Sequence, residues 1–158
     1  MTLDDARKLR RDGAHEAARN VLVALAAAQP DDARVQYETA CVHDFLGLEQ
    51  TAVPYYEAAL RLGLPDDLLR GAYTGLGSTF RTLGEYEGAR RVLEAGLQRF
   101  PQDAALRAFL AMTLYNLGES KAAVALLLGL ACDVSTDGLG GYARAIRFYA
   151  DDLDRRWG

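Results

Sequence analysis

The chain has 158 residues, 50% of them hydrophobic and 25% charged, with a formal net charge of -4. This composition is ordinary for a soluble globular protein, and the length suits one domain or a short solenoid. The acidic balance argues against general electrostatic binding of nucleic acid, so we expect no nucleic-acid partner.

The cysteines and the apolar segments indicate a cytoplasmic protein. Cys41 and Cys132 form no CxxC pair and no Cys/His ligand spacing, which favours a reduced compartment. The first residues, MTLDDARKLRRDG, lack the apolar segment of a signal peptide. The longest apolar run, 122–132, is too short to cross a bilayer, and we therefore expect no membrane association.

The chain repeats itself four times. The repeats are anchored by four glycines, separated by 34, 37 and 34 residues: Gly13, Gly47, Gly84 and Gly118. Five residues after each comes a small residue: Ala18, Ala52, Ala89 and Ala123. Nine residues after each comes a large apolar residue: Leu22, Tyr56, Leu93 and Leu127. This regularity predicts an array of similar structural units.

Each unit contains the pattern of two amphipathic helices, one before the glycine and one after it. Pro30, Pro65 and Pro101 close three of the units. Aspartates follow each of these prolines, where they can cap the next helix and favour the positive end of its dipole. The glycine ends the first helix in a conformation that costs other residues more. No segment alternates with period two, so we predict no β-sheet.

The third unit carries the most complete motif: Tyr73, Leu76, Gly77, Phe80, Gly84, Ala89, Leu93 and Pro101. This pattern resembles the tetratricopeptide repeat (TPR) family, whose motif is a 34-residue helix–turn–helix, and in particular its small stand-alone bacterial members. The resemblance covers about residues 2–135. It implies an all-α, right-handed helical-repeat solenoid of four TPR-like helix pairs plus a C-terminal capping helix.

We predict a single domain over residues 1–158. Its parts are repeat 1 at about 2–30, repeat 2 at about 32–65, repeat 3 at about 67–101, repeat 4 at about 103–135 and the capping helix at about 139–157. The capping helix is predicted from large apolar residues at helical spacing: Tyr142, Ile146, Tyr149, Leu153 and Trp157.

The segment GLGST, residues 75–79, superficially resembles a phosphate-binding loop. Such a loop follows a strand and, in the Walker form, ends in Gly-Lys-Ser/Thr, whereas this segment has no lysine and lies within a helical pattern. Gly77 is equivalent to Ala40 and Ala111 in the other repeats. We therefore predict that Gly77 serves close helix packing.

No group of residues indicates catalysis, a metal or a cofactor. Cys41 and His43 lie two residues apart, so on a helix they point to different faces and cannot act as nucleophile and base. His15 and His43 lack the further ligands that a metal site needs. We expect both histidines to be satisfied, partly buried side chains, and we expect the protein not to be an enzyme.

In the TPR family the first helix of each pair lines a concave groove at its second, fifth, ninth, twelfth and thirteenth positions. Transferring these positions predicts a partner-binding set: Arg7, Arg10, Arg11, Tyr37, Cys41, Asp44, Phe45, Ser78, Arg81, Thr82, Met112, Tyr115 and Asn116.

The twelfth positions form a series across adjacent helices, from Arg10 through Asp44 and Arg81 to Tyr115. One interpretation is an internal Arg–Asp–Arg ladder that fixes helix stacking, although exposed pairs of this kind are weak. The other is that Arg81 and the nearby aromatic residues grip a peptide, since arginine and tyrosine often dominate binding energy. The two are compatible if Asp44 positions Arg81.

The sequence thus predicts a non-catalytic module that binds a protein or peptide segment in the concave groove. The alternative is a homo-oligomeric assembly protein, such as a homodimer, that associates through the exposed ends of its solenoid.

Overall fold

A computed structural model describes residues 1–156 of the chain. Over that range the backbone forms nine α-helices and no strand, so the predicted all-α class is confirmed. In chain order the helices are α1 (Leu3–Arg11), α2 (His15–Ala28), α3 (Ala33–Phe45), α4 (Glu49–Leu62), α5 (Asp66–Thr82), α6 (Tyr86–Arg99), α7 (Ala104–Asn116), α8 (Ser120–Val134) and α9 (Ala143–Ala150).

Helices α1 to α8 lie where the repeat pattern predicts, and two of the three predicted aspartate caps form. The N-cap residue of α5 is Pro65 and no side chain caps that helix, so the predicted cap by Asp66 or Asp67 is wrong. The Asp32 carboxylate accepts hydrogen bonds from the backbone N–H groups of Arg34 and Val35, at 2.9 and 3.1 Å, and so caps α3. Asp103 caps α7 in the same way, accepting from Leu106 N at 2.9 Å. The four repeat glycines adopt φ between +72° and +82° in the turns between paired helices, where a side chain would be strained.

Helices α1 to α8 stack as four successive pairs, each helix packing on the one before it. The first helices of neighbouring pairs also contact one another, α3 with α5 and α5 with α7, whereas the second helices of neighbouring pairs make almost no such contact. The first helices therefore lie on the inner side of the array and the second helices on its outer side. We call the solvent-facing surface of α1, α3, α5 and α7 the inner groove.

Each junction between pairs buries the large apolar residue of the second helix against the next first helix. Leu22 packs with Val42 of α3, Tyr56 with Leu76 of α5, and Leu93 with Leu110 of α7. Leu22, Tyr56 and Leu93 retain only 0%, 3% and 0% of their exposure. The fourth member of the series, Leu127, is 44% exposed, because within residues 1–156 no first helix packs over it.

Glycines on α5 let its neighbours approach closely. A Cβ atom on Gly77 would lie 2.5 Å from the Leu93 side chain, which confirms that Gly77 serves helix packing. A Cβ on Gly75 would lie 2.5 Å from the Tyr56 ring. Gly71, one turn earlier, stands against the Tyr37 hydroxyl in the same way. The close contacts at Gly75 and Gly71 could not be predicted from the repeat motif.

The C-terminal helix is shorter than the predicted 139–157. It spans Ala143–Ala150, since Gly138, Gly140 and Gly141 all have positive φ and keep the preceding segment in turns. Helix α9 contacts α8 through an Arg147–Asp133 ion pair of 2.5 Å and a hydrogen bond from the Cys132 thiol to the Ala143 carbonyl at 3.6 Å. None of its residues is buried. The predicted stripe residue Trp157 lies outside the described residues.

Candidate functional site

The predicted groove residues all lie on first helices and all keep contact with solvent. Five are exposed: Arg11, Phe45, Thr82, Met112 and Tyr115. Eight are half-buried: Arg7, Arg10, Tyr37, Cys41, Asp44, Ser78, Arg81 and Asn116. The motif positions therefore map a continuous inner surface, although the contacts among them differ from those expected.

At the N-terminal end of the inner groove, Glu38 joins α1 to α3. Its buried carboxylate accepts a hydrogen bond from Arg7 Nε at 2.8 Å and another from Arg10 Nη1. These charge-assisted bonds satisfy a carboxylate that would otherwise be costly to bury. The pairing of Arg10 with Asp44, which one of the two interpretations required, is therefore wrong. Glu38 was missed because its motif position is not one of the groove positions of the family.

The remainder of the predicted ladder is also absent from the structure. Asp44 accepts a hydrogen bond from the Tyr56 hydroxyl at 3.2 Å, and Arg81 Nε donates to Asn116 Oδ1 at 2.9 Å. Equal motif positions on neighbouring helices do not place these side-chain tips together, because Arg10 reaches back along α3 to Glu38 and Arg81 bonds the residue after its motif equivalent on α7. Asn116, rather than Asp44, holds Arg81 in place.

A polar cluster lies at the centre of the inner groove, where α3 meets α4. The Tyr56 hydroxyl contacts Cys41 Sγ at 3.8 Å as well as Asp44, and the ring centroids of Tyr37 and Tyr56 are 6.3 Å apart. Burial raises the pKa of both tyrosine hydroxyls and of the Cys41 thiol. Burial also raises the pKa of Asp44. The cluster thus favours neutral groups, and a raised thiol pKa is the opposite of what a cysteine nucleophile needs.

The two histidines have different environments. His43 is buried, donates from Nδ1 to the Thr39 carbonyl at 2.8 Å and stacks on Tyr55, as expected for a satisfied core histidine. The ring centroids of His15 and Phe45 are 4.0 Å apart, and the buried Nδ1 of His15 has no hydrogen-bond partner within residues 1–156. The expectation of a satisfied side chain is therefore wrong for His15. In that same range no cluster of three or more His, Cys, Asp or Glu side chains is arranged to hold a metal.

Two cavities mark the ends of the inner groove. The N-terminal cavity, of about 390 Å³, is lined by Arg7, Arg10, Arg11, His15, Glu38 and Phe45. The C-terminal cavity, of about 310 Å³, lies between α7 and α8. Its walls are mainly apolar, formed by Met112, Tyr115, Val124 and Leu127, with Arg81 at the rim. We call it the end pocket.

Val124 and Leu127 were not among the predicted site residues. The signal was available, because Leu127 belongs to the +9 series whose other members precede a further helix pair. The family-based groove positions consider only first helices, and both residues lie on the second helix α8.

None of the helices in the described part of the chain combines the length and the apolar character needed to cross a membrane.

A sequence profile of the family described as "Tetratrico peptide repeat" matches residues 33–153. No curated protein shows a significant match to the sequence. Among solved structures, YrrB, described as a TPR protein with an unusual peptide-binding site, superposes with a TM-score of 0.73 at 18% identity, over 96% of this chain and 77% of that one.

Two structures of MamA show the same fold. A double mutant of MamA RS-1 has a TM-score of 0.73 at 20% identity, covering 94% of this chain and 83% of that one. MamA residues 41 to the end, from Desulfovibrio magneticus RS-1, has a TM-score of 0.72 at 20% identity, covering 94% and 86% of the two chains. With the profile spanning more than half of the sequence, this chain belongs to the tetratricopeptide repeat family, whose members generally act as non-catalytic interaction scaffolds.

Proposed function

We propose that the protein binds a segment of another protein in its inner groove and performs no catalysis there. The observation that carries this proposal is the exposure of large side chains on the first helices. Phe45 is 65% exposed and Tyr115 is 68% exposed, while the large apolar residues at the repeat junctions are buried. Exposed aromatic residues gathered on one concave face are typical of a docking surface.

Two arginine side chains, Arg11 and Arg81, add positive charge to the inner groove beside its aromatic residues. Arg11 and Arg81 face solvent at opposite ends of the inner groove, and neither pairs with a carboxylate among residues 1–156. Both guanidinium groups are therefore available to acidic groups of a partner, in bidentate geometry. YrrB, which shares the fold, is described as having a peptide-binding site, and this supports the same use of the fold here.

Site-specific photo-cross-linking in the source cells tests the proposal. A benzophenone amino acid would replace Phe45 or Tyr115 in the inner groove, and Glu57 or Gln98 on the outer helices as controls. We expect adducts with another protein from the groove positions and far fewer from the outer ones. Equal adducts from all four positions would contradict the groove as the binding site.

Self-association is the second candidate, and the exposure of Val124 and Leu127 at the end of the solenoid favours it. In the same experiment it would appear as adducts between two copies of the chain. Light scattering over a range of concentrations would then show a mass that rises toward a dimer.

A further inference from the structure

The end pocket occupies the place that a first helix fills at every other junction. Leu22, Tyr56 and Leu93 are each covered by a first helix, α3, α5 and α7 respectively. Leu127 has the same repeat position and a similar apolar character, yet it stays 44% exposed. At each of the three interior junctions the equivalent residue is covered by an α-helix. By this comparison, the structure that would cover Leu127 is also an α-helix.

Helix α9 does not provide this cover, because it lies against a different side of α8. It and the segment that follows it contact α8 through the Lys121–Asp154 and Asp133–Arg147 ion pairs and through Cys132. Val124 and Leu127 project from α8 on the side of α7, where they line the end pocket with Met112. The apolar walls of the pocket therefore remain open to an occupant.

The chemistry of the walls favours a helical occupant over an extended one. An extended segment would bring its own unpaired N–H and C=O groups against the apolar side chains of Met112, Val124 and Leu127, which can offer no hydrogen bonds. A helix satisfies its backbone groups internally and can present one apolar stripe. Helix-on-helix packing is also how the three interior junctions are built.

The rim of the end pocket adds a requirement for negative charge. Asn116 Oδ1 fixes the Arg81 guanidinium through Nε at 2.9 Å, which leaves its two terminal NH₂ groups directed to other partners. No carboxylate within residues 1–156 forms an ion pair with Arg81. A glutamate or aspartate beside the apolar stripe of the occupant would complete this site.

Helix α1 of a second copy of the chain is a poor match for the end pocket. End-to-end stacking would offer its helix α1, but the apolar residues of α1 already pack in the core of the first repeat: Leu3, Ala6 and Leu9. The exposed residues of α1 are charged: Asp4, Asp5, Lys8 and Arg11. Helix α1 therefore has no free aliphatic stripe to place against Val124 and Leu127.

We propose that the end pocket binds an amphipathic helix of a partner protein, with an aliphatic stripe on Val124 and Leu127 and a carboxylate on Arg81, as a substitute for the first helix of a fifth repeat. This deepens the proposed function and rests on it, because Arg81, Met112 and Tyr115 belong to the inner groove as well. The mode of binding extends the solenoid by one helix.

The probe is a fluorescein-labelled amphipathic peptide of about 16 residues, with leucine every third or fourth position and glutamate beside the leucine stripe. Binding is measured by fluorescence anisotropy to the full chain. Val124→Asp places a charge in the apolar wall, and we expect it to weaken binding about tenfold or more. Val23→Asp is the matched control, since Val23 on α2 is 39% exposed and Val124 is 43% exposed. Circular dichroism checks that both variants fold, and the isosteric Val124→Thr replaces Val124→Asp if that variant does not.

The charge requirement is tested with Arg81→Gln and with a peptide that carries glutamine in place of glutamate. We expect Arg81→Gln to weaken the binding of the glutamate peptide about fivefold and to leave the affinity for the glutamine peptide unchanged. Failure of the wild-type chain to bind the glutamate peptide, or equal binding of a peptide with scrambled leucines, overturns the proposal. A concentration-dependent dimer that Val124→Asp abolishes and Val23→Asp retains also overturns it, in favour of a second copy.

Failure here is distinguishable from failure of the proposed function. If cross-links from Phe45 persist when Val124→Asp is introduced, binding in the inner groove is supported and the proposal of a partner helix in the end pocket is excluded. If the protein without Val124→Asp gave no cross-links from Phe45 or Tyr115, the inner groove itself would be excluded as the binding site.

Discussion

The two ends of the inner groove use similar residues for different purposes. At the N-terminal end Arg7 and Arg10 both form ion pairs with the buried carboxylate of Glu38, so their charges are paired within the fold. At the C-terminal end the partner of Arg81 among residues 1–156 is an amide, Asn116, and Arg81 lies beside exposed apolar side chains. We call the first the closed end, because its two central arginines are paired internally while Arg11 and Phe45 stay exposed, and the second the open end.

The difference shows that a repeat position has no fixed role. A large apolar residue in the second helix stabilises the stack when another pair follows it, as Leu93 does. The same position is exposed when no first helix of the described residues packs over it, as at Leu127. In a solenoid the neighbour, rather than the motif, decides which side chains are core and which are available for binding.

Removing Glu38 is the strongest way to test the closed end. We expect Glu38→Ala to lower the free energy of unfolding by about 2–3 kcal/mol, because it leaves two half-buried guanidinium groups without their carboxylate. Urea denaturation followed by circular dichroism measures the loss. Glu57→Ala, at an exposed position on α4, is the control and should change stability by less than about 0.5 kcal/mol. Equal small effects in both variants would mean that the N-terminal end is as loosely held as the C-terminal one.

Two glycine substitutions compare a tight interior junction with the open last pair. Gly75→Ala would place a Cβ 2.5 Å from the buried Tyr56 ring, and we expect a net loss of about 1–2 kcal/mol despite the better helix propensity of alanine. Gly129→Ala on α8 meets nothing within 4 Å, and it should gain up to about 1 kcal/mol. Melting temperatures of the two variants should therefore move in opposite directions. A gain at both sites would show that the junction between α4 and α5 has room to spare.

The polar cluster between the two ends predicts a pH dependence. Burial raises the pKa of Asp44 above its ordinary value of 3.8, so the folded chain holds that proton more tightly than the unfolded chain does. The resulting stability is fully present below pH 3.8 and is lost as the pH rises through the folded pKa. Because Asp44→Asn cannot titrate, the stability of the wild type relative to this variant should fall across that interval.

Urea denaturation of the wild type and Asp44→Asn at several pH values measures this difference. Tyr56→Phe sharpens the test, since the Tyr56 hydrogen bond lowers the pKa of Asp44 and its removal should extend the interval to higher pH. Parallel stability curves for the wild type and Asp44→Asn would contradict the prediction.

The smallest expected effect on stability belongs to the open end. We expect Arg81→Gln to change the free energy of unfolding by less than about 0.5 kcal/mol, because within the described residues Arg81 makes one side-chain hydrogen bond near the surface and no ion pair. The same variant should reduce the yield of the Tyr115 cross-link. A loss of stability comparable to that of Glu38→Ala would assign Arg81 a structural role and remove the contrast between the two ends.

Much of the candidate site could be predicted, and the errors have a common cause. The motif positions identified residues that do reach solvent on the first helices, including Phe45 and Tyr115. They missed Glu38, Val124 and Leu127, and they paired Arg10 and Arg81 with Asp44. A motif records which face of its own helix a residue occupies, whereas these contacts depend on how neighbouring helices are offset and on how far a long side chain reaches.

The sequence by itself determined helices α1 to α8, the aspartate caps of α3 and α7, the turn glycines and the repeat, because these follow from local hydrogen bonding and from a hydrophobic period present in every unit. Only the tertiary structure decided which charges are satisfied internally and which apolar residues stay exposed. It also set the length and position of α9, which lies against one side of α8 and leaves the end pocket open. Those outcomes depend on the packing of elements that are distant in sequence, and the local pattern carries no record of it.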